Sequence, residues 1–376
     1  MKLFEDKIRT DMEWASHNDN TYEFCDRSAQ DKIVHVRYVL NDWFSRYPTA
    51  ECEELKSRFK VSFNDALYEL FLHELFLKQG FEITVHPNVP NATTHPDFLI
   101  SKNNTEIYVE AKVSTGKTSN EKALDNMTNT VYDAINTICS PNFSFKLNSL
   151  QLKTNRQPAI KSLKQFIENQ LQQYDPDIVE RQICSIDYYL PLLPSIIYDD
   201  DNIHIALSLI PRPKEKRNNS EIRETIAIYP CEQVYSEENN IKTALKKKAT
   251  KYGNLDKPYI VCINSIQGVK VSDFDAMGAV LGSLQYLYPA TNAHDGFFGN
   301  RNKYQHTRVS AVLITNMVLG SHCNPNYWFF KHPAAHREVD FDLFDLGYYQ
   351  VESNRICKHE GLSVGDILSV STEEYL

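Results

Sequence analysis

The sequence has no excess of basic residues: 40 Lys and Arg against 49 Asp and Glu leave a formal net charge of −9. A broadly basic coat is thereby excluded, and any contact with a polyanion must come from local patches. No CxxC pair occurs among Cys25, Cys52, Cys139, Cys184, Cys231, Cys262, Cys323 and Cys357. Thiols dispersed in this way suit a reduced cytoplasm. No apolar run approaches the length of a membrane span, so no membrane partner is expected, and Met1-Lys2-Leu3-Phe4-Glu5-Asp6 is no signal peptide. Internal repeats and long low-complexity tracts are missing, and glycine is scarce. What is present is a globular composition, 42% hydrophobic and rich in tyrosine and phenylalanine, which supports a sizeable core in two or three domains or one elaborated domain.

The most informative stretch is His95-Pro96-Asp97-Phe98-Leu99-Ile100, followed by Ile107-Tyr108-Val109-Glu110-Ala111-Lys112. It reads as two short strands joined by the polar turn Lys102-Asn103-Asn104. Side chains alternate faces along a strand, so Tyr108, Glu110 and Lys112 share one face. If Ser101 pairs with Glu106, Asp97 lies opposite Glu110, and two carboxylates converge with an amine. Hard divalent cations take oxygen ligands, and Mg²⁺ is usually held by one or two carboxylates with water and substrate phosphate. A bound metal polarises the phosphate and makes water a better nucleophile. A nearby lysine orients that water or offsets charge in the transition state.

Ahead of the hairpin, Phe63 to Phe76 predicts a helix that is apolar nearly all round, hence buried, capped by Ser62 or Asn64 and closed by Gly80. Glu69 and Glu74 interrupt it, and a charge in a buried helix needs a partner. Phe81 to Val85 predicts the first strand. With Pro96-Asp97 and Glu110-Ala111-Lys112, this order resembles the PD-(D/E)XK, or restriction-endonuclease-like, nuclease superfamily. The resemblance implies a core of helix, three strands, helix and strand. It implies metal ligation by Asp97 and Glu110, with Glu69 favoured as the helical carboxylate that completes the metal shell, and a catalytic role for Lys112.

A competing motif overlaps this one. Ala111-Lys112-Val113-Ser114-Thr115-Gly116-Lys117-Thr118 fits the loose form of a phosphate-binding loop, with Ala for the first Gly. Backbone amides that must approach a phosphate closely favour glycine over Lys112-Val113. The segment after it is polar, and Tyr259–Ile263 ends in Asn264 rather than a metal-binding Asp. One reading puts Lys112 in a strand and the other in a loop. Lys117 remains a candidate contact for a nucleic-acid phosphate in either.

The rest of the chain is read as an interrupted core. Residues 1–60 form a helical N-terminal region, 61–116 the first part of the core, 117–236 an insertion, 237–265 the last core helix and strand, and 266–376 a C-terminal extension. A helix is predicted over 28–47, with Ser28 and Asp31 as a capping box and Val34, Val36, Tyr38, Val39, Leu40, Trp43 and Phe44 on its apolar side. The insertion predicts a helix over 120–138, a strand over 143–152, a helix over 158–174 and strands over 203–210 and 225–229. A lysine-rich helix runs from 237 to Gly253. Its Lys247, Lys248 and Lys251 are candidate nucleic-acid contacts. Lys248 and Tyr252 stand where some members of the superfamily place a Gln and a Tyr four apart. A helix over 273–286 and a strand over 309–315 are predicted beyond it. His322, Cys323, His332 and His336 do not complete a common zinc set, because Pro333 breaks the helical spacing and no second cysteine follows.

The expected protein is therefore α/β, with a restriction-endonuclease-like mixed sheet flanked by helices. The expected activity is Mg²⁺- or Mn²⁺-dependent hydrolysis of phosphodiesters, with DNA ahead of RNA, and restriction, repair or anti-phage defence as the roles the resemblance implies. An inactive nucleic-acid-binding or assembly subunit, and a nucleotide-binding protein using Gly116-Lys117-Thr118, are the alternatives. A partner protein subunit and oligomer formation are open.

Overall fold

The computed structural model describes residues 1–90, 94–115, 119–184, 193–218, 227–228, 237–266, 271–282, 296–300, 303–352 and 355–369. The protein is α/β and folds as two compact units, one comprising 1–13, 20–116 and 235–376, the other 14–19 and 117–234. No described helix is long and apolar enough to cross a membrane.

The first unit is built on a mixed sheet of eight strands. Their spatial order is Glu82–Val85, Phe98–Lys102, Thr105–Ser114, Tyr259–Ser265, Ala311–Asn316, Asn326–Lys331, Tyr348–Glu352 and Arg355–His359. The first three pair antiparallel. Thr105–Ser114, Tyr259–Ser265 and Ala311–Asn316 then run parallel. Every residue of Tyr259–Ser265 is buried, as expected for a parallel strand covered on both faces. Ile260 and Cys262 join the cluster around the helix Phe63–Lys78, whereas Tyr259, Val261 and Ile263 join the cluster around the helix Glu237–Ala249. The sheet does not end at the strand after the lysine-rich helix. Four strands from the C-terminal segment continue it, so that segment shares the first unit's sheet.

The N-terminal region differs from the sequence reading at one point. The helix predicted over 28–47 is present as Asp31–Arg46, starting later, and a further helix, Thr21–Arg27, precedes it. Ser28 closes the first, its N–H bonding the Phe24 carbonyl, and its hydroxyl accepts only the Gln30 N–H at 3.2 Å. The second helix starts from Gln30 without a side-chain cap. Val34 and Tyr38 are exposed, while Val36, Val39, Leu40, Trp43 and Phe44 are buried. The apolar stripe is narrower than hydrophobicity alone suggests.

In the second unit a four-stranded sheet, ordered Ser195–Asp199, Ile203–Pro211, Phe143–Leu152 and Ala227–Ile228, packs with the helices Ser119–Asn136, Ile160–Leu171 and Pro176–Cys184. Val131, Ile135, Phe145, Leu163, Ile167, Ile205 and Leu207 lie in its core. The helix predicted over 158–174 is shorter, and the next one, opened by Pro176, was not foreseen.

Candidate active site

The site begins with the helix Phe63–Lys78. Its apolar residues are spread around the whole circumference, and Phe63 and everything from Ala66 to Phe76 is buried, Glu69 and Glu74 included. It ends in a left-handed glycine: Gly80 has φ +81°, its N–H bonds Leu77 O at 3.0 Å, and the Phe81 N–H bonds Phe76 O at 3.1 Å. That crossed pair of bonds satisfies the last carbonyls and turns the chain into the first strand. Ser62 occupies the N-cap position but makes no side-chain cap bond. Both internal acids draw partners from the preceding helical region. Arg46 donates to Glu74 from Nε at 3.1 and 3.0 Å and from a terminal nitrogen at 2.7 Å. The Tyr47 hydroxyl donates to Glu69 Oε1 at 2.7 Å, and Arg58 pairs with Glu69 Oε2. Burial, and then the Glu69 charge, hold the Tyr47 phenol well above its ordinary range.

The motif hairpin has the pairing that the sequence reading took as its condition. Ser101 pairs with Glu106 and Phe98 with Val109, which sets Asp97, one residue beyond, across from Glu110. Asn103 and Asn104 have φ +50° and +65°. Two left-handed residues make the tight turn whose twist matches that of the strands, and asparagine tolerates that backbone better than most residues. Asp97 Oδ2 accepts the Ala111 backbone N–H at 2.6 Å. Burial, then the nearby charges of Glu110 and Glu69, push the Asp97 carboxyl up to about 7, against the smaller opposing pull of the Ala111 N–H and Lys248.

Glu110 is fully buried and lies under the end of the lysine-rich helix. Lys248 and Lys251 both reach its Oε1, the latter at 2.8 Å, and the Tyr252 hydroxyl reaches Oε2. The same hydroxyl lies 2.6 Å from the His95 carbonyl, so its one proton serves two acceptors. Lys248 stands on the last turn of the helix, which ends at Ala249, and the turn that follows, with the Lys251 N–H bonding Lys248 O at 3.3 Å, brings Lys251 and Tyr252 to the same acid before Gly253, φ +68°.

Lys112 does not join Glu110. Its side chain is 44% exposed and its ammonium lies 3.6 Å from Asp65 Oδ1, on the first turn of the buried helix. Alternation places the two residues on one face, but Lys112 sits near the strand's end, where a long flexible stem can turn toward another charge. Lys247 is exposed, whereas Lys248 and Lys251 are engaged with Glu110. Lys117, with Gly116 and Thr118, lies outside the described residues.

The sequence reading missed His86. It is the first residue past the strand Glu82–Val85, with φ +48°, and its N–H bonds the Asp97 carbonyl at 3.0 Å. Its Nδ1 is 3.3 Å from Glu51 Oε2. One ligand atom each from Glu69, His86 and Asp97 lie within 4.8 Å of one another; Glu110 is not part of that group. No motif marks His86. Its only signal is the position after a strand that pairs with the one following Asp97.

The donor set of two carboxylates and an imidazole suits Mg²⁺ or, better, Mn²⁺. Asp97 fits such a site: burial first, and then the charges of Glu110 and Glu69, raise its proton affinity, and a cation would offset those charges. No protein-family profile, curated protein or solved structure matches this chain.

Proposed function

We propose that this protein is a cation-dependent phosphodiesterase acting on nucleic acid, with DNA ahead of RNA. The observation that carries the reading is the setting of Asp97, a carboxylate of raised proton affinity between Glu69, His86 and Glu110. With residues 117–236 set aside, a helix, three antiparallel strands, a helix and a parallel strand follow one another in the first unit, which supports the reading without fixing the fold. Asp97 and Glu69 would supply carboxylates to Mg²⁺ or Mn²⁺ and His86 an imidazole, with Glu110 beside them, held by Lys248, Lys251 and Tyr252. The bound ion would polarise the phosphate and acidify water. The Ala111 N–H fixes the Asp97 carboxylate, and Tyr47 and Arg58 fix Glu69. The ammonium at the reaction would come from Lys112 or from the lysine-rich helix.

A second reading, a nuclease-like subunit that binds nucleic acid or assembles with a partner without cleaving, draws on Lys112 facing Asp65. The chain's acidity is consistent with a second subunit that holds the substrate. Cleavage of plasmid, single-stranded DNA and RNA, with Mg²⁺ and with Mn²⁺, separates the two. Wild-type cleavage that Asp97→Asn abolishes supports the enzyme. Metal-independent binding without cleavage supports the subunit, and ATP binding lost in Lys117→Ala would favour the phosphate-loop alternative.

A further inference from the structure

We infer that Lys248, seated with Lys251 on Glu110, supplies the ammonium that meets the scissile phosphate, in place of Lys112. The inference rests on the phosphodiesterase reading and assigns a residue within it. Two ammonium groups converge on a single oxygen of Glu110, and the Tyr252 hydroxyl reaches the other oxygen. One ammonium can therefore turn to an anion while the other and the hydroxyl keep the buried carboxylate partnered. Lys248 is the deeper of the two, 18% exposed against 34% for Lys251. Lys112 spends its charge on Asp65, with both side chains nearly half exposed.

The step needs no proton from the lysine. The water oxygen forms the new bond to phosphorus, the ester P–O bond breaks with its electron pair going to the leaving oxygen, and the water's protons end on that oxygen and on solvent. Lys248 stabilises the charge that grows on a non-bridging oxygen, where a preorganised donor is worth roughly 100-fold or more in rate.

The test compares wild type, Lys112→Ala, Lys248→Met, Lys248→Arg and Asp97→Asn on a labelled oligonucleotide with Mn²⁺, measuring kcat and KM separately and Mn²⁺ affinity by titration. Lys248→Met leaves Lys251 and Tyr252 on Glu110, so the fold is kept, which thermal melting verifies. The expected result is a fall in kcat of roughly 100-fold, with KM changed less than about threefold and Mn²⁺ affinity not weakened. Lys248→Arg should recover at least about tenfold, and the Lys112→Ala loss should be smaller by about tenfold. An equal or larger loss at Lys112, or a Lys248 effect confined to Mn²⁺ affinity, overturns the inference while Asp97→Asn stays inactive. Full activity of Asp97→Asn, or no cleavage by wild type with either metal, overturns the phosphodiesterase reading itself and the inference with it.

Discussion

The carboxylate of Asp97 accepts the backbone N–H of Ala111 at 2.6 Å, so the residue before one strand is tied to the peptide between Glu110 and Lys112 on the next. The hydrogen bond fixes where the carboxylate points without neutralising it. Its proton affinity stays raised because burial and two neighbouring acids outweigh one amide.

Cation binding should therefore be linked to pH. The folded Asp97 holds its proton to about 7, above its usual range, so the stability this proton contributes is full below about pH 4 and lost as pH rises through 7. A cation needs the carboxylate and releases that proton. Mn²⁺ affinity should rise with pH up to about 7 and level off beyond, as read by thermal shift or by calorimetry in buffers of different ionisation heat. Constant affinity from pH 5.5 to pH 8 would contradict the assignment.

Asp97→Asn keeps an oxygen for the Ala111 N–H and removes the charge. In the absence of cation the variant should melt higher than wild type at pH 8, by ~3 °C for each kcal/mol relieved. At pH 5, where wild-type Asp97 is already neutral, the two should melt alike. The same variant should lose Mn²⁺ binding.

The ion pair beneath the helix predicts a larger effect. With Arg46 changed to Met, buried Glu74 keeps only Lys78, at 3.9 Å. Removing the hydrogen-bonded cation from a buried carboxylate costs about 3 kcal/mol, which chemical denaturation would register. The double variant Arg46→Met, Glu74→Leu should recover much of that loss, because no stranded charge remains. A double variant as unstable as the single one would mean that packing, not charge, sets the cost.

Arg58 poses a trade between stability and binding. Removing it as Arg58→Ala takes the cationic partner from Glu69 and leaves the Tyr47 hydroxyl. The variant should be less stable than wild type yet bind Mn²⁺ more tightly, since Glu69 would otherwise share its charge with a guanidinium. Melting temperatures with and without Mn²⁺ measure both at once, and a smaller Mn²⁺-induced gain than wild type's would refute the prediction.

The hairpin turn offers a test remote from the chemistry. Asn104, at φ +65°, sits where glycine costs least. Asn104→Gly should stabilise the protein by about 0.5 kcal/mol, and Asn104→Val should destabilise it by more than that.

Much of this arrangement was legible from the chain. The supposed pairing of Ser101 with Glu106 is the one formed, and an apolar surface without a polar side gave the burial of the helix from Ala66 to Phe76. The strand Phe143–Leu152 came from alternation. Failures occurred where tertiary charge decides. Alternation could not say that Lys112 would turn to Asp65, because face is a backbone property and the lysine stem is long. Hydrophobicity could not say that Val34 and Tyr38 stay exposed. His86 lay outside any motif. The strands Tyr348–Glu352 and Arg355–His359 are at best half-buried along their length, so they lack the contrast that makes a strand visible.

Glu110 and Lys248 are 138 positions apart in the chain. During synthesis at roughly 5–20 residues per second, the strand Thr105–Ser114 leaves the ribosome on the order of ten seconds before the strand that will lie beside it and the lysines that will pair its acid. For that interval it is an open edge bearing Ile107, Val109 and Val113, a template for pairing with any extended chain nearby. The 117–234 unit, which has its own core, is made within that interval. The gap that splits the site in sequence is thus also a delay in time, and it makes the nascent chain most exposed to misassembly just before its centre can close.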